Sequence, residues 1–115
     1  MASTPEGRVK RRLDKMLKEE GVWFYSPQAG PYGQSGIPDR VCIVHGLFVG
    51  VEVKAGKGKK PTALQELRAK EIVEAGGFWF LVYDDETIAK VREFIVGRRR
   101  QAGACAKPAR QPTGT

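Results

Sequence analysis

The sequence predicts an α/β protein: a mixed four-stranded sheet flanked by helices, in the order α-β-β-β-α-β-α. Three observations predict it. Apolar residues recur at helical spacing from Val9 to Leu17, two adjoining apolar runs at 39–45 and 48–54 flank Gly46-Leu47, and a third run at 78–82 follows a capped helical segment. At 115 residues the chain has the length of one domain. That domain is assigned to 1–97, with 98–115 as a basic tail.

Thr4 followed by Pro5 marks the start of the first helix, Val9, Leu13, Met16 and Leu17 form its inward face, and Gly21 ends it. A short strand at 22–25 leads into SPQAGPYGQSG, a stretch too rich in Gly, Pro and Ser for anything but loop. The runs 39–45 and 48–54 then read as a tight antiparallel hairpin. With a two-residue loop at Gly46-Leu47, His45 faces Phe48, Val41 faces Glu52, and Asp39 faces Lys54. Asp39, Glu52 and Lys54 thereby converge at one end, on condition that the loop length does not change parity.

Thr62 caps the next helix, with Gln65 three residues on and Leu64, Leu67, Ile72 and Ala75 as its expected buried stripe; Gly76-Gly77 stop it. FWFLV, 78–82, suits a central strand covered on both faces and parallel to the strand that ends in VEVK. Asp84 or Asp85 caps the last helix, whose inward residues are Ile88, Val91, Phe94 and Ile95 and whose end is expected near Gly97. The remaining residues have no periodicity and read as disordered, with Arg98, Arg99, Arg100, Lys107 and Arg110 as the tail's basic residues.

A net charge of +7 favours an acidic partner, and with no lipid-seeking segment that partner is nucleic acid and not a membrane. The N-terminus has no apolar signal core, so a soluble, intracellular, cytoplasmic protein is expected. Two cysteines without Cys-x-x-Cys spacing and a single histidine, His45, argue against a zinc site, a disulfide framework and histidine catalysis.

The charges of VEVK have an ordinary explanation, a solvated pair at a strand end. Against it, the hairpin's two faces carry Val44, Cys42, Val49, Val51 and Val53 on one side and Val41, Ile43 and Phe48 on the other, so both are expected to be covered. Charges beside a covered sheet need a partner or a task. Two convergent carboxylates are hard oxygen ligands of the kind Mg²⁺ prefers, and an adjacent ammonium suits a phosphodiester.

Gly36-Ile-Pro-Asp39, twelve intervening residues, then Glu52-Val-Lys54, resembles the signature of the PD-(D/E)XK nuclease superfamily. The following AGKGKKPTALQ with Gln65 on a helix, and the GG-FWFLV strand, make the chain similar to the VRR-NUC family, especially its stand-alone phage proteins, from about Glu6 to Val82. The resemblance implies a restriction-endonuclease-like core and Mg²⁺- or Mn²⁺-dependent cleavage of DNA, with branched, flap or junction DNA as the expected substrate. It implies Asp39 and Glu52 as metal ligands, the Val53 carbonyl as a further one, and Lys54 as the residue that positions water or stabilises phosphate charge. Gln65 matches the family glutamine, and equally completes a capping box with Thr62. Among the acids of the first helix, Glu6 matches the family glutamate, with Glu19 and Glu20 as alternatives. Arg40, Lys57, Lys59 and Lys60 are expected to contact DNA phosphates. The expected partners are DNA, a second copy of the chain, and a helicase or other replication or recombination protein. The rival readings are a non-catalytic DNA-binding accessory subunit and an RNA-directed nuclease.

Overall fold

The computed structural model describes residues 4–28 and 34–104, which leaves the middle of the Gly/Pro-rich loop and residues 105–115 of the expected tail outside the described residues. The elements run α1 (Pro5–Glu19), β1 (Trp23–Tyr25), β2 (Arg40–Val44), β3 (Leu47–Val53), α2 (Ala63–Glu74), β4 (Phe78–Val82) and α3 (Asp85–Ala104). They form one sheet of order β1-β2-β3-β4, antiparallel except for the parallel pair β3 and β4. The expected α/β order α-β-β-β-α-β-α is the observed one.

α1 begins as its sequence dictates. Thr4 is the N-cap, its hydroxyl accepting from the Gly7 amide at 2.9 Å, and Pro5 costs no hydrogen bond in the first turn. Val9, Leu13, Met16 and Leu17 are buried on one stripe. They pack with Ile88, Val91 and Ile95 of α3 against Cys42, Val44, Val49, Val51, Val53 and Val82, so α1 and α3 cover the same face of the sheet. Full burial of each such side chain contributes about 1.5–3 kcal/mol.

The hairpin turns one residue earlier than its sequence indicates. His45 and Gly46 both adopt positive φ (48° and 86°) and form the loop, so Val44 pairs with Leu47 and Cys42 with Val49. Each β2 residue therefore meets a β3 residue two positions earlier than expected. A shift of two preserves parity, so Asp39 and Glu52 still point to one face. The expected pairing of Asp39 with Lys54 is replaced by an approach of Asp39 to Glu52.

Three further expectations give way. β4 lies at the sheet edge and not at its centre, and only Val82 of its five residues is fully buried. α2 buries no residue completely: Leu64, Leu67 and Ala75 are exposed, and Gln65, Arg68, Ala69 and Ile72 form the half-buried inner side. α3 continues to Ala104, seven residues past Gly97. The Arg98 guanidinium sits 5.1 Å and 5.3 Å from the ring centres of Phe78 and Phe94, and Arg99 pairs with Glu20. These cations replace the large apolar residues that the last turns of α3 lack.

The second face of the sheet is only partly covered. α2 packs over it through Ile72, which lies against Gly50 and Gly77. Trp23, Ile43 and Phe48, aligned across three strands, are 60%, 51% and 43% exposed, so the assumption that both hairpin faces are covered holds for one face and for the site end of the other. Among the described residues no helix is long and apolar enough to cross a membrane.

Candidate functional site

Pro38 and Gly50 position the first acid. Pro38 is fully buried and lies over β3, where a Cβ on residue 50 would stand 2.7 Å from its Cγ. Only glycine allows that approach, which delivers Asp39 to the start of β2 at a fixed height above the sheet. Asp39 Oδ2 then accepts the Val53 amide at 2.8 Å. Pro38 belongs to the Gly36-Ile-Pro-Asp39 motif read from the sequence, whereas Gly50 was not singled out; a glycine inside an otherwise β-branched strand was the available signal.

Glu52 lies beside Asp39 and is 1% exposed, the one charged residue type in the buried core among the described residues. Its Oε2 is buried without a hydrogen-bond partner. Burial, followed by the neighbouring Asp39 carboxyl, pushes the Glu52 carboxyl up to about 9. Burial acts on Asp39 in the same sense, but the Glu52 carboxyl, the Val53 amide and the Lys10 ammonium outweigh it and hold Asp39 below its ordinary value. The two acids thus share one proton at neutral pH unless a cation takes its place.

Lys54 and Gln65 complete this corner. The Lys54 amide donates to the Val82 carbonyl at 3.0 Å, fixing the strand end against β4. Its ammonium donates to Gln65 Oε1 at 2.8 Å, and the same oxygen accepts the Thr62 amide at 2.9 Å. The Gln65 main-chain N–H in turn donates to Thr62 Oγ1 at 3.2 Å. The capping box and the contact with Lys54 therefore coexist in one side chain.

The first-helix acids separate clearly. Glu6 reaches the site through Lys10, whose Nζ lies 3.2 Å from Glu6 Oε2 and 3.4 Å from Asp39 Oδ1. Glu19 and Glu20 stand at the other end of α1 and pair with Arg92 and Arg99 of α3. Lys10 was missed by the sequence reading, although its position one turn after Glu6 is the spacing of a helical ion pair.

Arg40 is not available to phosphate. Its Nε and Nη2 bind Asp14 at 2.7 Å and 3.0 Å, and Nη1 donates to Ser26 Oγ and to the Asp39 carbonyl at 3.0 Å and 2.8 Å. The cause is register: Arg40 pairs with Val51, whose side chain points toward α1. Arg40 thus ties β2 to α1 and steadies the Asp39 main chain. Lys57, Lys59 and Lys60 lie in the β3–α2 loop with exposed side chains. Cys42 is buried, and its thiol is pushed up to about 12 by burial first, so it takes no part in thiolate chemistry.

The donor set fits a small hard cation. Among the described residues no group of three or more His, Cys, Asp or Glu gathers as a metal cage. Two close carboxylates with one orphaned buried oxygen instead match the open coordination of Mg²⁺, which keeps waters and substrate oxygens in its remaining positions. The orphaned Glu52 Oε2 is the observation that supports this fit.

No protein-family model and no curated protein sequence matches the chain. A solved structure described as a VRR_NUC domain does: the TM-score is 0.70 at 27% sequence identity, and the match covers 79% of this chain and 97% of that one. In fold and in sequence the chain is similar to this VRR_NUC domain, a nuclease-type domain.

Proposed function

We propose that this protein is an endodeoxyribonuclease that works with Mg²⁺, or with Mn²⁺ in its place. The supporting observation is the buried, unpartnered Glu52 Oε2 beside Asp39, with Lys54 held at the same corner by Gln65. Asp39 and Glu52 would hold the ion, with the Val53 carbonyl as a further oxygen. An ion so held supplies Lewis acidity toward a phosphate oxygen and lowers the pKa of bound water. Lys54 stabilises charge that develops on the phosphate, and Gln65 sets the direction of its ammonium. Hydrolysis adds the water oxygen to phosphorus and breaks the bond to the leaving sugar oxygen, which takes up a proton.

DNA shape is the proposed basis of recognition, because Lys57, Lys59 and Lys60 offer phosphate contacts and, among the described residues, no helix carries a base-reading pattern. A branched substrate has two strands to cut, which suits a homodimer. The open apolar face supports pairing. Among the described residues, Trp23, Ile43 and Phe48 lie exposed in line across β1, β2 and β3, with Tyr25 beside Trp23. α2 sets Arg68 and Lys70 against Glu66, Glu71 and Glu74, so this side lacks the positive charge that would draw DNA and lets a second copy approach.

The decisive experiment is cleavage of linear, flap and four-way-junction DNA in Mg²⁺ and in EDTA. Cleavage of a branched substrate in Mg²⁺ alone, abolished by Asp39→Asn and by Glu52→Gln with melting retained, is the expected result. Normal turnover by either variant, or equal cleavage in EDTA, would remove the proposed centre.

A further inference from the structure

Asp39 has two carboxylate oxygens and two kinds of partner. Oδ2 is committed to the Val53 amide, so Oδ1 is the oxygen free for a cation, and the Lys10 ammonium holds it at 3.4 Å. Lys54, the nearer charge in sequence, is turned to Gln65. Lys10 also spans to Glu6 at 3.2 Å, and its side chain is 29% exposed, so one edge of the ammonium faces solvent at the mouth of the site.

From this geometry, and resting on the metal-dependent reading above, we infer that Lys10 is a positioning residue that takes two partners in succession. Without metal it is the counter-cation that keeps Asp39 Oδ1 in place. A divalent ion and an ammonium repel each other at one carboxylate oxygen, so loading of the ion displaces Lys10. The side chain has a flexible four-carbon stem and three donors, and the anion that DNA brings to this mouth is a phosphate. The released ammonium binds a non-bridging phosphate oxygen. Metal and DNA binding are then coupled through one side chain, each strengthening the other.

The test uses the full chain, with Lys10→Met to remove the charge and keep the stem. Mn²⁺ affinity without DNA is measured by calorimetry, and junction-DNA affinity by anisotropy in Ca²⁺ and in EDTA. Expected are a Mn²⁺ affinity raised about five- to tenfold, a Ca²⁺-dependent gain in DNA affinity reduced by a similar factor, and recovery of that gain in Lys10→Arg. A structural ion pair alone would lower melting in EDTA without tightening Mn²⁺, and unchanged or weaker Mn²⁺ binding overturns the inference. If Lys10→Met fails to fold, Lys10→Gln, which keeps a donor without the charge, is read in the same way. A wild-type protein that binds no Mn²⁺ overturns the metal reading itself, whereas equal Mn²⁺ binding by wild type and variant overturns only the role of Lys10.

Discussion

Gln65 Oε1 is shared between the Thr62 amide and the Lys54 ammonium, at 2.9 Å and 2.8 Å. One atom thus closes the first turn of α2 and aims the cation of β3, so the helix start and the candidate site are a single construction. Gln65→Glu separates the two tasks. Glutamate is an equal capping acceptor and suits a helix N-terminus, so melting should stay within about 2 °C of wild type. It also converts a neutral contact into an ion pair that withholds the ammonium from phosphate, so turnover should fall at least about tenfold at unchanged stability. Equal turnover would leave Gln65 a cap and nothing more.

Glu52 makes metal-free stability depend on pH. Its folded value of about 9 lies above its ordinary 4.5, so between these values the folded state keeps a proton that the unfolded state has lost. Its contribution is whole below the unfolded value and is lost as pH rises toward 9. In EDTA, unfolding free energy should therefore fall from about pH 5 to about pH 9, with a slope no steeper than one proton, about 1.4 kcal/mol per pH unit, and melting temperature should fall with it. Asp39, held below its ordinary value, acts in a separate and more acidic window, where its contribution is lost as pH falls. Saturating Mg²⁺ should flatten the fall if, as proposed, Glu52 holds the ion and is kept ionised by it, and Glu52→Gln should flatten it without metal. A flat EDTA profile in the wild-type protein would mean that Glu52 is already ionised.

The legible and illegible parts of this chain divide along physical lines. α1 could be read residue by residue because its cap, its proline and its apolar stripe all favour the same segment. Asp39 and Glu52 could be brought together despite a misplaced turn, since a two-residue slip leaves side-chain parity intact. α2 could not, because its apolar residues lie around the helix and the half-buried side includes Gln65 and Arg68. The link of Lys10 to Asp39 and that of Arg40 to Asp14 were illegible for a shared reason: each joins residues far apart in sequence, and only the packing of α1 on the sheet reveals it.

Gly50→Ala tests how Asp39 is placed. The added Cβ would stand 2.7 Å from Pro38 Cγ, and the proline ring, packed and fully buried, has little room to retreat. Such overpacking costs about 1–3 kcal/mol. The loss should show both as lower melting temperature and as weaker Mn²⁺ binding, since Asp39 directly follows Pro38. Wild-type metal affinity in a destabilised variant would show that Asp39 is placed by its bond to Val53 and not by the Pro38 contact.

Two truncations distinguish the structural end of α3 from the charge beyond it. Stopping after Gly97 removes Arg99, which reaches Glu20 Oε1 at 3.0 Å and the Glu20 carbonyl at 2.6 Å, closing the C-terminal end of α1. It also removes the Arg98 guanidinium from the Phe78 and Phe94 rings, so a loss of about 1–3 kcal/mol, from a charge-assisted hydrogen bond and a cation–π contact, is expected in melting. Stopping after Ala104 removes none of these contacts and should leave melting unchanged. Residues 105–115 contain Lys107 and Arg110. If both contact phosphate, the slope of log affinity against log salt should shallow by about 1.8. An unchanged slope after the second truncation would place the phosphate contacts on the β3–α2 loop around Lys57, Lys59 and Lys60. Equal melting after both would mean that the helical turns beyond Gly97 add nothing to the fold.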